Sequence, residues 1–435
     1  MNKKTNKLIP ILRFPEFVND VEWSNEELGQ LSEIVRGGSP RPIQDYFTTD
    51  INGLNWLKIA DVPSDSKYIT ETKERVIKDA LNSTREVNPG DLILSNSMSF
   101  GRPYISKITT CIHDGWIAIR KISNKTFEDY LYYFITSESC QSYFQTNAAG
   151  AAVKNLNAEI IKLLPIYLSK NKKEQQKISD CLSFLDNVIT SQNQKLDTLI
   201  EHRFGLMQKL LPQKGEPIPK YRFKEFENDE EWEHKTLIET ADKNAKWSFT
   251  GGPFGSNLKA SDYTLSGIRI IQLQNIGDGE FNDEYKIYTS TEKANELLSC
   301  NIYSGDIIIS KMGDPVGRAC LIPDSLERCV MASDGIRLVV DESKYSKYFI
   351  YSLINSKRIR GAIEKKATGS TRKRIGLDEL RETELLIPKS QKEQQKIADC
   401  FLALDTLIKK QEEKIEQLKL HKKGLMQGLF PKITN

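Results

Sequence analysis

The chain carries an internal repeat, and a repeat constrains the fold more than any single motif. Residues 173–213 read KEQQKISDCLSFLDNVITSQNQKLDTLIEHRFGLMQKLLPQ, and residues 392–432 read KEQQKIADCFLALDTLIKKQEEKIEQLKLHKKGLMQGLFPK. They align without a gap at a constant offset of 219, with about half the positions identical. Upstream, RFPEFVNDVEW from Arg13 to Trp23 matches RFKEFENDEEW from Arg222 to Trp232. GDLILS at Gly90–Ser95 likewise matches GDIIIS at Gly305–Ser310. All three matches keep their order, so a two-part unit is duplicated. Between them lie inserts of roughly 150 residues that hardly resemble each other, for example GGSPRPIQDYF from Gly37 against GGPFGSNLKASDY from Gly251. A common frame with divergent inserts is what two modules need to do one kind of job on two different targets.

The repeated segments read as long helices. Apolar seam positions in the first run Ile178, Leu182, Leu185, Ile189, Gln192, Leu196, Leu199, Arg203, Leu206 and Leu210. The second gives Ile397, Phe401, Leu404, Ile408, Gln411, Ile415, Leu418, Lys422, Leu425 and Leu429, with the same alternating steps of four and three. That spacing is the coiled-coil period. Capping boxes are expected at Asn171 with Glu174 and at Ser390 with Glu393, and Pro212 and Pro431 close the helices. At about 1.5 Å per residue each helix is roughly 55–60 Å long. Two arrangements remain open: the helices pair with each other, antiparallel, as a spacer between the inserts, or each packs on its own domain. In the paired arrangement Ile178, Leu185, Gln192, Leu196 and Leu199 face Ile397, Leu404, Gln411, Ile415 and Leu418. The expected domains are 1–168 (N-terminal segment and first insert), 169–213 (central helix), 214–388 (second insert) and 389–435 (C-terminal helix).

Short β-branched runs such as Leu92-Ile93-Leu94, Ile307-Ile308-Ile309 and Ile268–Ile271 alternate with helical stretches such as Glu128–Gln145 and Lys344–Glu364. The inserts are therefore expected to be mixed α/β (α+β), and the whole chain pseudo-twofold. Its 435 residues are too many for one typical core. No apolar run approaches the 18 or so residues of a transmembrane helix, and the basic N-terminus lacks a signal peptide's apolar stretch. Seven scattered cysteines without a CxxC pair fit a reducing, cytoplasmic compartment.

Catalytic signatures are missing. There is no phosphate-binding Gly-x-x-x-x-Gly-Lys-Ser/Thr loop and no His-Glu-x-x-His, and the four histidines are dispersed, so neither a catalytic nor a metal site is expected. Asn88-Pro89-Gly90-Asp91 lacks the second proline and the aromatic of an amino-methyltransferase motif. His202 and His421 occupy equivalent repeat positions, which suits a helix surface better than chemistry.

Sixty-two Lys and Arg against 59 Asp and Glu leave a formal charge of +3, but binding depends on where charge sits. Lys357 to Arg374 holds eight cationic residues and one glutamate, with a Thr-Gly-Ser-Thr turn at Thr368–Thr371. A turn's amides flanked by cations make a phosphate grip, and arginine also reads guanine edges. The comparable first-half stretch around Gly150 keeps the glycine and nearly lacks the charge. A solvated charged face is the plainer interpretation of such a strip. The duplicated frame favours nucleic acid.

These residues together resemble the specificity subunit of type I restriction–modification enzymes over essentially the whole chain. The resemblance rests on the two Glu-Gln-Gln-Lys-Ile…Leu-Asp…Gly-Leu-Met-Gln helices, the two Arg-Phe-x-Glu-Phe…Trp segments, the two Gly-Asp strands, Pro253-Phe254-Gly255-Ser256 and Thr368–Ile375. It implies a non-catalytic reader of double-stranded DNA. Each insert would be a target recognition domain for half of a bipartite, asymmetric site. The helices would set the gap between half-sites and dock two modification subunits. S-adenosylmethionine would then belong to the modification partners, and ATP and Mg²⁺ to restriction subunits, with no cofactor in this chain and no membrane partner. A bacterial, cytoplasmic, nucleoid-associated location follows. The DNA-contact candidates are Ser39, Arg41, Lys58, Asn96 and Arg102 in the first insert. In the second they are Ser256, Asn257, Lys259, Lys311, Arg318, Thr371, Arg372, Lys373 and Arg374. The alternative is a scaffold that holds two protein-binding modules and no DNA.

Overall fold

The computed structural model describes residues 8–63, 66–96, 100–148, 156–369 and 372–433. Thr371 and the stretch around Gly150 lie outside them. The chain divides into two compact units, of which the first is discontinuous in sequence. The first comprises Met1–Asn193 with Glu413–Asn435, and the second comprises Gln194–Glu412.

In the first unit the strands Phe47–Thr48, Glu74–Val76, Leu54–Leu57, Thr110–Ile112 and Arg85–Val87 form one five-stranded sheet in that order. All neighbours are antiparallel except Thr110–Ile112 with Leu54–Leu57. A second sheet runs Glu33–Arg36, Trp116–Arg120, Leu92–Ser95, Pro103–Ser106 and Tyr68–Ile69. In the second unit the five-stranded sheet runs Tyr263–Thr264, Ile287–Thr289, Ile268–Ile271, Arg328–Met331 and Asn301–Tyr303. Its single parallel pair, Ile268–Ile271 with Arg328–Met331, falls at the same place in the order. The other sheet, Phe249–Gly251, Gly335–Leu338, Ile307–Ser310 and Ala319–Leu321, repeats the first four strands of its counterpart. The inserts that share little sequence thus share one topology, because each keeps the buried strand pattern while its loops vary.

The expected helical stretches each break into two. Glu128–Thr136 and Glu138–Asn147 are separated at Ser137, whose hydroxyl accepts from Cys140 N. Lys347–Ile354 and Lys357–Lys366 are separated around Ser356, whose hydroxyl accepts from Ile359 N. In both cases a serine caps the second helix and so starts a new one where periodicity alone continues the first.

The repeat helices span Lys172–Leu210 and Gln391–Leu429, 39 residues each. At about 1.5 Å per residue each measures roughly 58 Å. They pack together, and each unit takes the beginning of one and the end of the other. In the first unit Ile178 and Leu182 join Met426, Leu429 and Phe430 in a core that includes Tyr130 and Phe134. Phe430 meets both rings edge-on, at centroid distances of 5.6 and 5.5 Å. In the second unit Ile397 and Phe401 join Met207, Leu210 and Leu211 around Phe349. Pairing of the helices and packing on the domains are therefore one arrangement, in which each helix end completes the other repeat's core. Of the seam positions, Ile178, Ile397, Leu404, Gln411 and Ile415 are buried, and Leu185, Gln192, Leu196, Leu199 and Leu418 half-buried.

The capping boxes take a different form from the one expected. Asn171 does accept from Lys173 N. The Glu174 carboxylate, however, is 1% exposed and accepts two bonds from Arg13, at 2.6 and 2.9 Å, and one from Trp23 Nε1 at 3.2 Å. Glu393 does the same with Arg222 (2.8 and 2.7 Å) and Trp232 (3.3 Å). A buried carboxylate is tolerated when a bidentate cation meets it. This also accounts for the repeated Arg-Phe…Trp segment, which supplies both donors.

Candidate nucleic-acid interface

In each unit the chain leaves the first strand of the second sheet through a glycine pressed onto another backbone. Gly37 N donates to Trp116 O at 2.9 Å, and Gly252 N to Gly335 O at 2.8 Å. A Cβ at Gly37 would lie 2.1 Å from His113 O, and one at Gly252 would lie 1.8 Å from Ala332 O. Only glycine allows this approach. The loops carrying Ser39 and Arg41, and Ser256, Asn257 and Lys259, are thereby seated beside the turns at 113–115 and 332–334.

In the first unit the organising residue is Asp114. Its carboxylate accepts from Ser39 Oγ at 3.0 Å and lies 3.5 Å from Arg41 Nη2, whose side chain is 82% exposed. Its backbone carbonyl accepts from Asn96 Nδ2 at 2.9 Å and from Arg36 Nε at 3.1 Å. Beside it a groove of about 550 Å³ is lined by Ser39, Arg41, Gln44, Trp56, Lys58 and His113, among others. Lys58 pairs with Glu74 and lies 5.2 Å from the Phe47 ring. His113 sits between Trp56 and Trp116. Burial pushes its pKa below the ordinary value, against the opposing pull of Asp114. Its Nδ1 accepts from Gly115 N at 2.8 Å, so the neutral ring carries its proton on Nε2. Ser39, Arg41 and Lys58 therefore come together in the groove, with Asn96 tied to the same aspartate. Arg102 does not line the groove and instead lies 5.6 Å from the Tyr104 ring.

The second unit builds its site from different residues on the same frame. Lys311 N donates to Asp334 O, Lys311 O accepts from Ile375 N, and Gly313 N donates to Lys373 O. Arg374 Nη2 bonds Asp334 at 2.8 Å, and Lys373 pairs with Glu364. Ser310 N donates to Arg318 O at 2.7 Å, just as Ser95 N donates to Arg102 O in the first unit. The structure thus gathers Lys311, Arg318, Lys373 and Arg374, with Arg372 exposed nearby in sequence. Ser256, Asn257 and Lys259 form a separate exposed loop, fixed by Asn257 N on Phe254 O and Lys259 N on Asp262. Thr371 lies outside the described residues.

Two residues important to these sites were not among the sequence candidates, Asp114 and Asp334. Each precedes a glycine next to a central strand, and that shared Asp-Gly step is the signal that could have flagged them. Donors and acceptors displayed side by side on loops suit recognition of hydrogen-bonding surfaces. Among the described residues no group of His, Cys, Asp or Glu could hold a metal ion, and no helix is long and apolar enough to cross a membrane.

The comparisons agree with this architecture. The family model of the type I restriction modification DNA specificity domain matches twice, at residues 20–201 and 230–420. The MjaVIII type I restriction enzyme specificity subunit of Methanocaldococcus jannaschii is 22% identical over 96% of this chain and 93% of its own length. The putative MjaX specificity subunit of the same organism is 25% identical over 94% and 93%. Among solved structures, the S subunit of a type I restriction–modification system from M. genitalium matches with a TM-score of 0.58 and 16% identity, covering 98% of this chain and all of that one. A chain from a structure of type I system assembly and conformational transition matches with the same TM-score, 14% identity and 94% and 98% coverage. Two family-model matches in tandem span most of the chain, and it belongs to the type I restriction–modification DNA specificity family.

Proposed function

We propose that the chain is the non-catalytic, sequence-reading subunit of a type I restriction–modification complex, and that its two units read the two halves of a bipartite, asymmetric DNA site. The observation that carries this is one sheet topology built twice with different loop chemistry: a groove organised by Asp114 in the first unit and a basic cluster around Lys311, Arg318, Lys373 and Arg374 in the second. Matching frames give equivalent placement, and different loops give different half-sites. Residues 1–168 and 214–388 are the two recognition domains, and 169–213 and 389–435 are the helices that set the gap and dock two modification subunits. S-adenosylmethionine, ATP and Mg²⁺ belong to the modification and restriction partners. The complex works in the cytoplasm on the nucleoid.

Methylation mapping of cells that carry the modification partner tests the reading. Exchanging residues 25–165 for those of another family member should change one half-site and leave the other as it was. Alteration of both half-sites, or of neither, would overturn it.

A further inference from the structure

The repeat provides an internal control for one cluster of charge. Ser137 and Ser356 cap equivalent helices, and Gln141 N and Arg360 N donate to their carbonyls in the same way. Gln141 and Arg360 therefore occupy the same helix position. In the first unit both donors of the Gln141 amide are used, bonding Gly101 O at 3.0 Å and Ile135 O at 2.8 Å. Arg102, next in sequence to Gly101, lies 5.6 Å from the Tyr104 ring.

In the second unit the same place holds two guanidiniums, Arg318 and Arg360. The 313–317 loop leads into Arg318 and packs against the helix that carries Arg360. Gly317 packs against Ile363, one turn beyond Arg360, and a Cβ at Gly313 would lie 3.5 Å from Arg318 Nη2. Arg360 Nη1 reaches Asn355 at 3.2 Å and the largely exposed Asp278 at 3.2 Å. Its Nε and the Nε of Arg318 are both buried and have no hydrogen-bond partner among the described residues. Burial, in the first place, pushes the Arg360 pKa below its ordinary value. Asp278 opposes that shift, and the Arg318 charge adds to it. Partly buried cations with orphaned donors are costly unless an anion completes them.

We propose that Arg318 and Arg360 together form an oxyanion site that takes one phosphodiester group of bound DNA, a site the first unit lacks. It rests on the DNA-reading function proposed above and adds an asymmetry to it: the second unit grips the backbone with two guanidiniums at a point where the first has Gln141 in place of Arg360. Phosphate contacts position a reader without carrying sequence information. The loss of this one should weaken binding evenly across sequences.

The test uses the chain assembled with its modification partner and compares wild type, Arg360→Gln, Arg360→Lys and the double variant Arg318→Gln with Arg360→Gln. Affinity for cognate duplex is measured against salt concentration. The double variant should lower the slope of log K against log salt by about 0.9, the value for one phosphate, with both half-site sequences unchanged. Arg360→Lys should keep the wild-type slope. A double variant with the wild-type slope overturns the site, and so does an Arg360→Lys variant as impaired as Arg360→Gln, which would mean that Arg360 only shapes the loop. In a parallel arm without DNA, inorganic phosphate should raise the unfolding temperature above that in chloride of equal ionic strength, and the double variant should lose that rise. If the wild-type complex binds no duplex, the DNA-reading function fails. The phosphate arm then decides the site alone, and equal unfolding temperatures in phosphate and chloride overturn it.

Discussion

Arg203, near the end of the central helix, makes a two-point ion pair with Asp405 of the C-terminal helix, one arm of it at 3.0 Å. Tyr348 donates to the same carboxylate. In the first unit Lys422 pairs with Asp186, Tyr133 donates to Asp186 at 2.7 Å, and Lys422 lies over the Tyr133 ring. The cationic seam positions that match between repeats, Arg203 and Lys422, thus make two equivalent cross-helix pairs. Both tyrosine hydroxyls are pushed above their ordinary pKa, chiefly by burial. They remain protonated donors at any physiological pH.

Asp405→Ala should leave the partly buried Arg203 guanidinium unmatched and lower stability by about 1–2 kcal/mol, less than a fully buried pair because both groups keep some solvent. The coupling belongs to the second unit. A double-mutant cycle with Arg203→Ala, read by thermal unfolding, should show a clear interaction energy, and simple additivity would remove the pair from the account.

Arg13→Ala and Arg222→Ala should each cost about 3–5 kcal/mol, because each strands a carboxylate that is 1% exposed. The expected readout is a lower denaturant midpoint. Replacing arginine by lysine should recover part of the loss, since lysine keeps the charge and gives up the two-point geometry. A midpoint equal to that of wild type would show that Glu174 or Glu393 finds another partner.

Gly37→Ala and Gly252→Ala should each disturb one recognition loop. The added methyl falls on a backbone carbonyl, which cannot rotate away as a side chain would. The measurable result is loss of one half-site from the methylation pattern, the first for Gly37 and the second for Gly252. Loss of both from either variant would mean general unfolding, which circular dichroism distinguishes.

The depressed pKa of His113 gives a pH dependence with a definite sign. The folded state binds the proton less readily than the unfolded chain, whose histidine titrates near 6.5. The contribution is therefore present above about pH 6.5 and is lost as pH falls below it. The His113 ring resonances should shift with a midpoint below 6.5, and His113→Gln should flatten the acid side of the first unit's stability curve. A midpoint above 6.5 would mean that Asp114 outweighs burial.

Much of this architecture is legible in the sequence, for stated reasons. Seam periodicity and the Leu-Pro and Phe-Pro ends mark the helices, and Gly90-Asp91 and Gly305-Asp306 mark turns ahead of the central strands Leu92–Ser95 and Ile307–Ser310. Periodicity carried the reading past Ser137 and Ser356, because a cap is a local hydrogen bond that leaves the apolar pattern intact. The grouping of Ser39, Arg41 and Lys58 could be guessed as chemistry, whereas Asp114, which holds Ser39 and Arg41, lies some 75 residues away in sequence.

By itself the sequence determined that the chain is a duplication with two long helices, divergent inserts and local basic charge. Those properties follow from periodicity, identity and composition, which are written along the chain. Only the tertiary structure decided that the inserts share one topology, that each helix ends in the other repeat's core, that Arg13 and Arg222 neutralise Glu174 and Glu393, and that Gly317, beside Arg318, packs against the helix that carries Arg360. These depend on contacts between residues far apart in sequence. Such contacts are chosen by which buried faces and charges satisfy each other once the chain has folded, and no spacing along the chain records them.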